Sequence, residues 1–505
     1  SLTAGAGIAL DTTGTITAAA ISAAGDLVVG GVREPAAVTF TGNASARSVT
    51  VDVTGAFVGQ NLSTTAGGID IDAASITAAA LSTVGGGATL LATDNITTTS
   101  INSSDLIDVG STAGGVLDLG VLNAGAGITL DTAGTIAAGA TTAGGALVVG
   151  GTLAPATVNF NGNVVAASVT ADTSGAFSVF DLTAANGGID IEAASITANP
   201  GGNLSATGGD VRLLASGTIL TNSITATRAG GAGGSIDVES TASGLALGDV
   251  TATGGNVDLT APGTVSALSV TALAVDGVGG IIDVASTGGQ TLDLGLLEAS
   301  GAITLATVGQ VNTADVTAGG ALLIGQTGIA AGFSGGDISA GSVLIDVTGA
   351  VSTGNLGATA GAGDVSAASI TAAAVSANGG DAILQASGEI LASSVTATTA
   401  GMAGGAINID STAGGALMLG ALTADQGVAL ETMGSMSVTG AVTANGALTV
   451  GGTAEPNAVT FFNGVTAGSI AIDTTGDLRV LAGNLVATAG VVDVGEHGQQ
   501  GAGGL

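Results

Sequence analysis

The chain has 505 residues, 38 acids against 5 bases, and a formal net charge of −33; its bases are all arginines, and it has no Cys, Trp or Tyr. A chain this acidic repels phosphate backbones and anionic lipid surfaces, so nucleic acid and anionic membranes are excluded as expected partners. With 90 glycines and 2% aromatics, it lacks the large side chains from which ordinary globular cores are built, so the length does not translate into several globules.

The mean hydropathy of +0.65 comes from alanine and valine. No run of about 18 apolar residues occurs, so no transmembrane helix is expected, and the missing Trp and Tyr deny a membrane barrel its interfacial girdles. The opening "SLTAGAGIAL" has neither Met nor a basic segment, so the chain reads as a processed or excised piece of something longer. The absence of Cys fits an oxidising exterior.

In chain order, "AVTF" at 37–40, "SVTVDV" at 48–53, "GIDID" at 68–72, "LIDV" at 106–109 and "VLDL" at 116–119 all alternate apolar with polar residues. That is the period of a half-buried strand. Gly-Gly, Asn-Gly and Thr-Gly clusters bound them as turns. "AASITAAALSTVGG" is rich in alanine, but glycines cut it short and Ile76 and Leu81 suit a strand.

The elements then repeat. "AGAGIALDTTGTI" from Ala4 returns as "AGAGITLDTAGTI" from Ala124, and "GGIDIDAASITA" from Gly67 as "GGIDIEAASITA" from Gly187, each 120 residues on. Phe40 overlies Phe160 and Pro35 overlies Pro155 in the same way. A third and a partial fourth copy begin at Ala299 and Ala424, giving long repeats 1–123, 124–298 (with inserted coils), 299–423 and 424–505. Within each runs a shorter beat, marked by Ile8, Leu27, Val49, Ile69, Leu90, Ile107 and Ile128, with minor apolar positions at Ile16, Val38, Ile76, Ile96 and Leu117 between them. A beat of about twenty residues, each carrying two or three short strands, describes a coil that climbs by pairing with its predecessor. The expectation is one continuous all-β domain, a right-handed parallel β-helix (β-solenoid) of about 25 coils and of order 120 Å in length.

Repeats of the form G-G-x-U-x-U, with U aliphatic ("GGIDID", "GGVLDL", "GGALVV", "GGSIDV", "GGAINI"), make essentially the whole chain resemble the filamentous haemagglutinin-type β-helix. That family comprises large exoproteins and adhesins of Gram-negative bacteria, many exported by two-partner secretion, and autotransporter passengers share its grammar. The resemblance implies an extracellular, cell-surface protein and an internal shaft.

In "IDID" the isoleucines face in, so Asp70 and Asp72 are expected to face out. The same is expected of Asp108, Asp118, Asp190 with Glu192, Asp237 with Glu239, Asp258, Asp283, Asp293, Asp346 and Asp410. Acids on adjacent coils would sit about 5 Å apart and cost roughly 0.8 kcal/mol per pair in water. They read as a solvated face that keeps copies from pairing sideways; a Ca2+ bridge between some pairs is the sharper reading. The calcium nonapeptide motif is not met, and no metal ligand is named.

Catalytic groups are sparse. The one histidine, His497, lies in a Gly-rich end and reads as a solvated bystander; "GGAGG" at 230–234 precedes a strand and lacks Lys, so it reads as a turn and not a phosphate cradle. No catalytic, cofactor or metal residue is assigned and no enzyme is expected. The function expected is a structural shaft of a large secreted bacterial surface filament or adhesin, serving adhesion, biofilm matrix or filament assembly, with end-to-end or lateral self-association open. The alternatives are a carbohydrate- or surface-binding module, an ice-binding solenoid, against which Thr-x-Thr pieces do not recur on a constant phase, and a polysaccharide-degrading β-helix enzyme.

Overall fold

The alternation in "IDID" becomes a strand because one side of it is buried: Ile69, Ile71 and Ala73 are at most 3% exposed while Asp70 and Asp72 point to solvent. Each such isoleucine contributes about 1.5–3 kcal/mol by leaving water. A computed structural model describes residues 1–199, 201–229, 234–277, 279–399, 401 and 404–495. Among the described residues every regular element is a β-strand. They form a parallel β-solenoid of about 24 turns with roughly 20 residues per coil.

The chain divides into two compact units, 1–255 and 256–505. In both, a coil contributes one strand to a first sheet and one long or two short strands to a second. In the first unit, strand Ile8–Leu10 belongs to the first sheet, and Thr15–Ala18 and Ile21–Ala23 to the second. Three coils later the two short strands have fused into Ser75–Thr83. The second unit shows the same two coil types, with Ala350–Thr353 and Leu356–Ala358 split and Ser369–Asn378 fused.

Pairing in register stacks like on like. In the first sheet Ile8, Leu27, Val49, Ile69, Ala88, Ile107 and Ile128 form one inward column. The beat read from the sequence therefore slips at one rung. Leu90 pairs with Ile71 and Val109 in the next inward column, and Ala88 holds the place assigned to it. In the second sheet Ile16, Val38, Phe57, Ile76, Ile96 and Leu117 form another column, which adds Phe57 to the expected minor positions. The stretch 124–298 carries first-sheet strands beginning at Ile128, Leu147, Val169, Ile189, Val211, Ile236, Val257 and Ile282. These are two more than the six that begin at Ile8, Leu27, Val49, Ile69, Ala88 and Ile107.

The buried phenylalanines lie in coils whose second sheet is split. Phe40, Phe57, Phe160, Phe177, Phe333 and Phe461 are fully buried. Phe40 meets Phe57 edge-on at 5.5 Å between centroids, and Phe160 lies 6.0 Å from Phe177, separations at which aromatic pairs attract beyond their area.

Hydroxyls fasten one corner of the coil. Thr132, fully buried at the end of strand Ile128–Thr132, donates to the Gly115 carbonyl of the preceding coil at 2.7 Å and accepts the Gly134 N–H at 3.0 Å. Thr307 repeats this on Gln290 and Gly309 (2.6 and 2.9 Å), and Thr432 on Gly415 and Gly434 (2.6 and 2.8 Å). Each staple satisfies two main-chain groups where the chain leaves the ladder and turns.

Glycine is required where the fused strands press on their predecessors. A Cβ on Gly120 would lie 1.8 Å from the Thr99 carbonyl oxygen, and one on Gly420 would lie 1.7 Å from that of Ser393. At another corner Gly30, Gly150 and Gly451 take φ of 75–79° and rest on the carbonyls of Asp52, Asp172 and Asp473, opening the loops that end at Pro35, Pro155 and Pro456.

Candidate functional site

The outward side of the first sheet is the candidate surface, because the strand alternation that buries the aliphatics delivers the acids there. Asp70, Asp72, Asp108, Asp190, Glu192, Asp237, Glu239, Asp258 and Asp283 are exposed, while Asp346 and Asp410 are half-buried; Asp118 and Asp293 are exposed on the second sheet. Register decides which acids meet. Asp70 is flanked by Thr50 and Thr89, and Asp108 by Thr89 and Thr129, so threonines separate most carboxylates. Some are direct neighbours on adjacent coils, as Asp52 is of Asp72, Asp172 of Glu192, Asp258 of Asp283, and Asp410 of Glu431.

The environment raises several of these carboxyls above their ordinary range. Burial against the sheet does most of it for Asp70, with the Asp72 and Asp52 charges adding. Burial also leads for Asp108, followed by Asp131, for Asp364, followed by Asp346, and for Asp410, followed by Glu431. Two arginines pair with acids on a neighbouring coil. Arg212 sits in register between Asp190 and Asp237 and bonds Asp190 at 3.1 Å. Arg47 reaches back one coil to Asp26, and with the Ser48 hydroxyl it holds that carboxyl down at about 2.

Other acids close corners, a role that the expectation of a solvated face did not include. Asp11 accepts the N–H groups of Val32 and Arg33 at 3.3 and 2.6 Å, and Asp131 accepts those of Thr152 and Leu153 at 3.2 and 2.8 Å. The hydroxyl of Thr453 bonds Glu431 in the corresponding loop. Asp210 and Asp381 accept the N–H of Ser235 and Ala406, each at 2.9 Å. These carboxylates satisfy turn donors on a neighbouring coil.

Shallow grooves run beside the raised loops. One of about 360 Å³ in the first unit lies below Ala154 and is lined by Asp172, Glu192, Ser174, Ser216 and Thr241. One of about 160 Å³ in the second unit lies against Gly451 and Gly452, with Asp473 and Asp493 on its wall. Side-by-side carboxylates can attract cations, but among the described residues no three His, Cys, Asp or Glu side chains come together as a metal site would need. His497 and residues 230–233 of "GGAGG" lie outside the described residues.

One surface feature was not read from the sequence. On the outward side of the second sheet, Ser22, Ser45, Ser63, Ser82, Asn102 and Asn123 stand on successive coils in one register column. The signal was present as a recurring triplet, an aliphatic residue, then usually Ser or Thr, then usually Ala ("ISA", "LST", "LTA", "VTA"). It was masked because the spacing between triplets varies with coil length.

Among the described residues no helix is long and apolar enough to cross a membrane. Comparison with known proteins gives no match to a family model, to a curated protein or to a solved structure.

Proposed function

We propose that this chain is a structural shaft of a large secreted bacterial surface protein of the filamentous haemagglutinin type, contributing length to a filament or adhesin outside the cell. The observation that carries the reading is the uniform coil. In each unit the strands of one turn pair through the main chain with those of the next and stack aliphatic residues into buried columns. Such a unit lengthens by about 4.8 Å per coil without changing its cross-section, which suits a spacer. Its acidic exterior favours solubility at high local density. Among the described residues the carboxylates paired in register lack the third His, Cys, Asp or Glu that a metal role would draw on.

The test is made in the cells that produce the protein. Deleting whole coils in register, for example residues 128–146, should shorten surface filaments measured by electron microscopy while leaving export intact. Filaments of unchanged length, with the shortened protein exported, would sink the proposal.

A further inference from the structure

Asn43 and Asn61 stand at the corner between the two short strands of the second sheet, immediately before Ala44–Ala46 and Leu62–Thr64. The Ala44 N–H donates to the Asn61 carbonyl at 2.9 Å, so the two asparagines lie on adjacent coils. Both are exposed, and among the described residues neither side-chain amide has a hydrogen-bond partner. Each is followed by a buried residue, Ala44 or Leu62, and then by a half-buried serine, Ser45 or Ser63. Strand side chains alternate, so burial of the middle residue places the amide and the hydroxyl on the same outward side. Asn-x-Ser/Thr is the acceptor pattern for N-linked sugar. It recurs at Asn95, Asn102 and Asn203, whose side chains bond to Val116, Asn123 and Asp181 on neighbouring coils. The corner itself does not require the pattern. Asn163 and Asn484 hold the same place before Val164–Ala166 and Leu485–Ala487, equally exposed, but with Val165 and Val486 where the hydroxyl would stand.

We infer that Asn43 and Asn61 are modification sites that carry N-linked sugar, transferred from a sugar diphosphate by an enzyme of the producing cell. The inference rests on the proposed function only in taking the protein to be exported. In the transfer the amide Nδ2 forms a bond to C1 of the sugar while the bond from C1 to the diphosphate oxygen breaks. The diphosphate leaves with the electron pair, and one amide proton passes to a base of the transferase. The product amide keeps its carbonyl oxygen and one N–H. Both side chains already stand in water, so the added sugar displaces no core residue and no hydrogen bond between coils. It is also neutral and hydrated, and it adds bulk to an exterior that otherwise depends on carboxylates for its solubility.

Peptide mass spectrometry of the protein purified from the cells that produce it tests this. Cleavage after Arg33 and Arg47 releases residues 34–47, in which Asn43 is the only asparagine; digestion with elastase isolates Asn61. The expected result is a sugar increment on Asn43 and Asn61 and none on Asn163 or Asn484. A single sugar points to a nucleotide-linked donor, and a preassembled oligosaccharide to a lipid-linked one; either supports the inference. Asn43→Gln and Ser45→Ala should each abolish the increment at that site and leave the one on Asn61, whereas Ser45→Thr should retain both. Parental export and an unchanged circular-dichroism spectrum show that the variants fold. Bare Asn43 and Asn61 overturn the inference. So does an increment that survives Ser45→Ala, one that sits on Ser or Thr instead, or one that appears equally on Asn163. None of these outcomes bears on filament length, which tests the shaft reading separately.

Discussion

Thr→Val is almost isosteric, yet at two buried positions of the first unit it should act with opposite sign. Thr132 is fully buried, and its hydroxyl both donates to Gly115 and accepts from Gly134. Valine there removes two hydrogen bonds worth about 1 kcal/mol each and leaves the half-buried Gly134 N–H without its partner, so a loss of about 2 kcal/mol is expected. Thr98 is 4% exposed, points inward between Ala78 and Leu119, and its hydroxyl has no partner. That hydroxyl is desolvated without compensation, so Thr98→Val should stabilise by about 1 kcal/mol. Urea unfolding followed by far-ultraviolet circular dichroism measures both as shifts in midpoint at constant slope. A stacked-coil protein can unfold in segments, so amide exchange near Gly115 and Gly134 should accompany it and show faster opening in Thr132→Val alone. Equal signs for the two variants, or a silent Thr132→Val, would refute the assignment of the corner hydroxyls as staples.

Gly420→Ala should cost about 3 kcal/mol or more, because its Cβ would overlap the Ser393 carbonyl at 1.7 Å and the two coils must part to admit it; a midpoint within error of the parent would contradict the close approach. Phe57→Ala should cost about 3–5 kcal/mol in the same urea assay, whereas Phe180→Ala, at a side chain 43% exposed, should fall within about 0.5 kcal/mol of the parent. Acidification should first stabilise the protein. Asp70, Asp108, Asp364 and Asp410 have raised folded-state values, so the native state binds their protons more readily than the unfolded chain, and stability rises as pH falls through that window toward about 4. Asp26, held at about 2 by Arg47, works the other way: its contribution is complete above the unfolded value and fades as pH falls toward 2. Melting temperature at low salt should therefore be higher near pH 4 than at pH 7 and fall again below about 3; a steady decline from pH 7 downward would contradict the reading of the acidic face.

How much of this was legible differs by level. The in–out alternation of "GIDID" and "AVTF" and the blockwise return of Phe40 as Phe160 are enough to specify strands, coils and stacking, because a strand with one buried face writes its period directly into the chain. The rung occupied by Ala88 was harder. Coil lengths vary, and Leu90 is the larger apolar residue nearby, so size pointed to the wrong column. The outward direction of the acids was legible too, and the neighbour that each one meets was not. "ASVTAD" and "GIDIEA" contain nothing to say that Asp172 lies beside Glu192 while Asp70 lies between two threonines.

The sequence alone therefore determined the class of fold, the inward columns and the sign of the exterior, since these depend on the order of apolar and polar residues along one strand. Tertiary structure alone decided that Thr132 closes on a carbonyl 17 residues earlier, that Asp11 and Asp131 cap loops on the next coil, and that Ser22, Ser45 and Ser63 fall into one uncharged line. Those facts depend on contacts between coils, and a coil that gains or loses two residues in its turn shifts every such contact while leaving the strand pattern untouched.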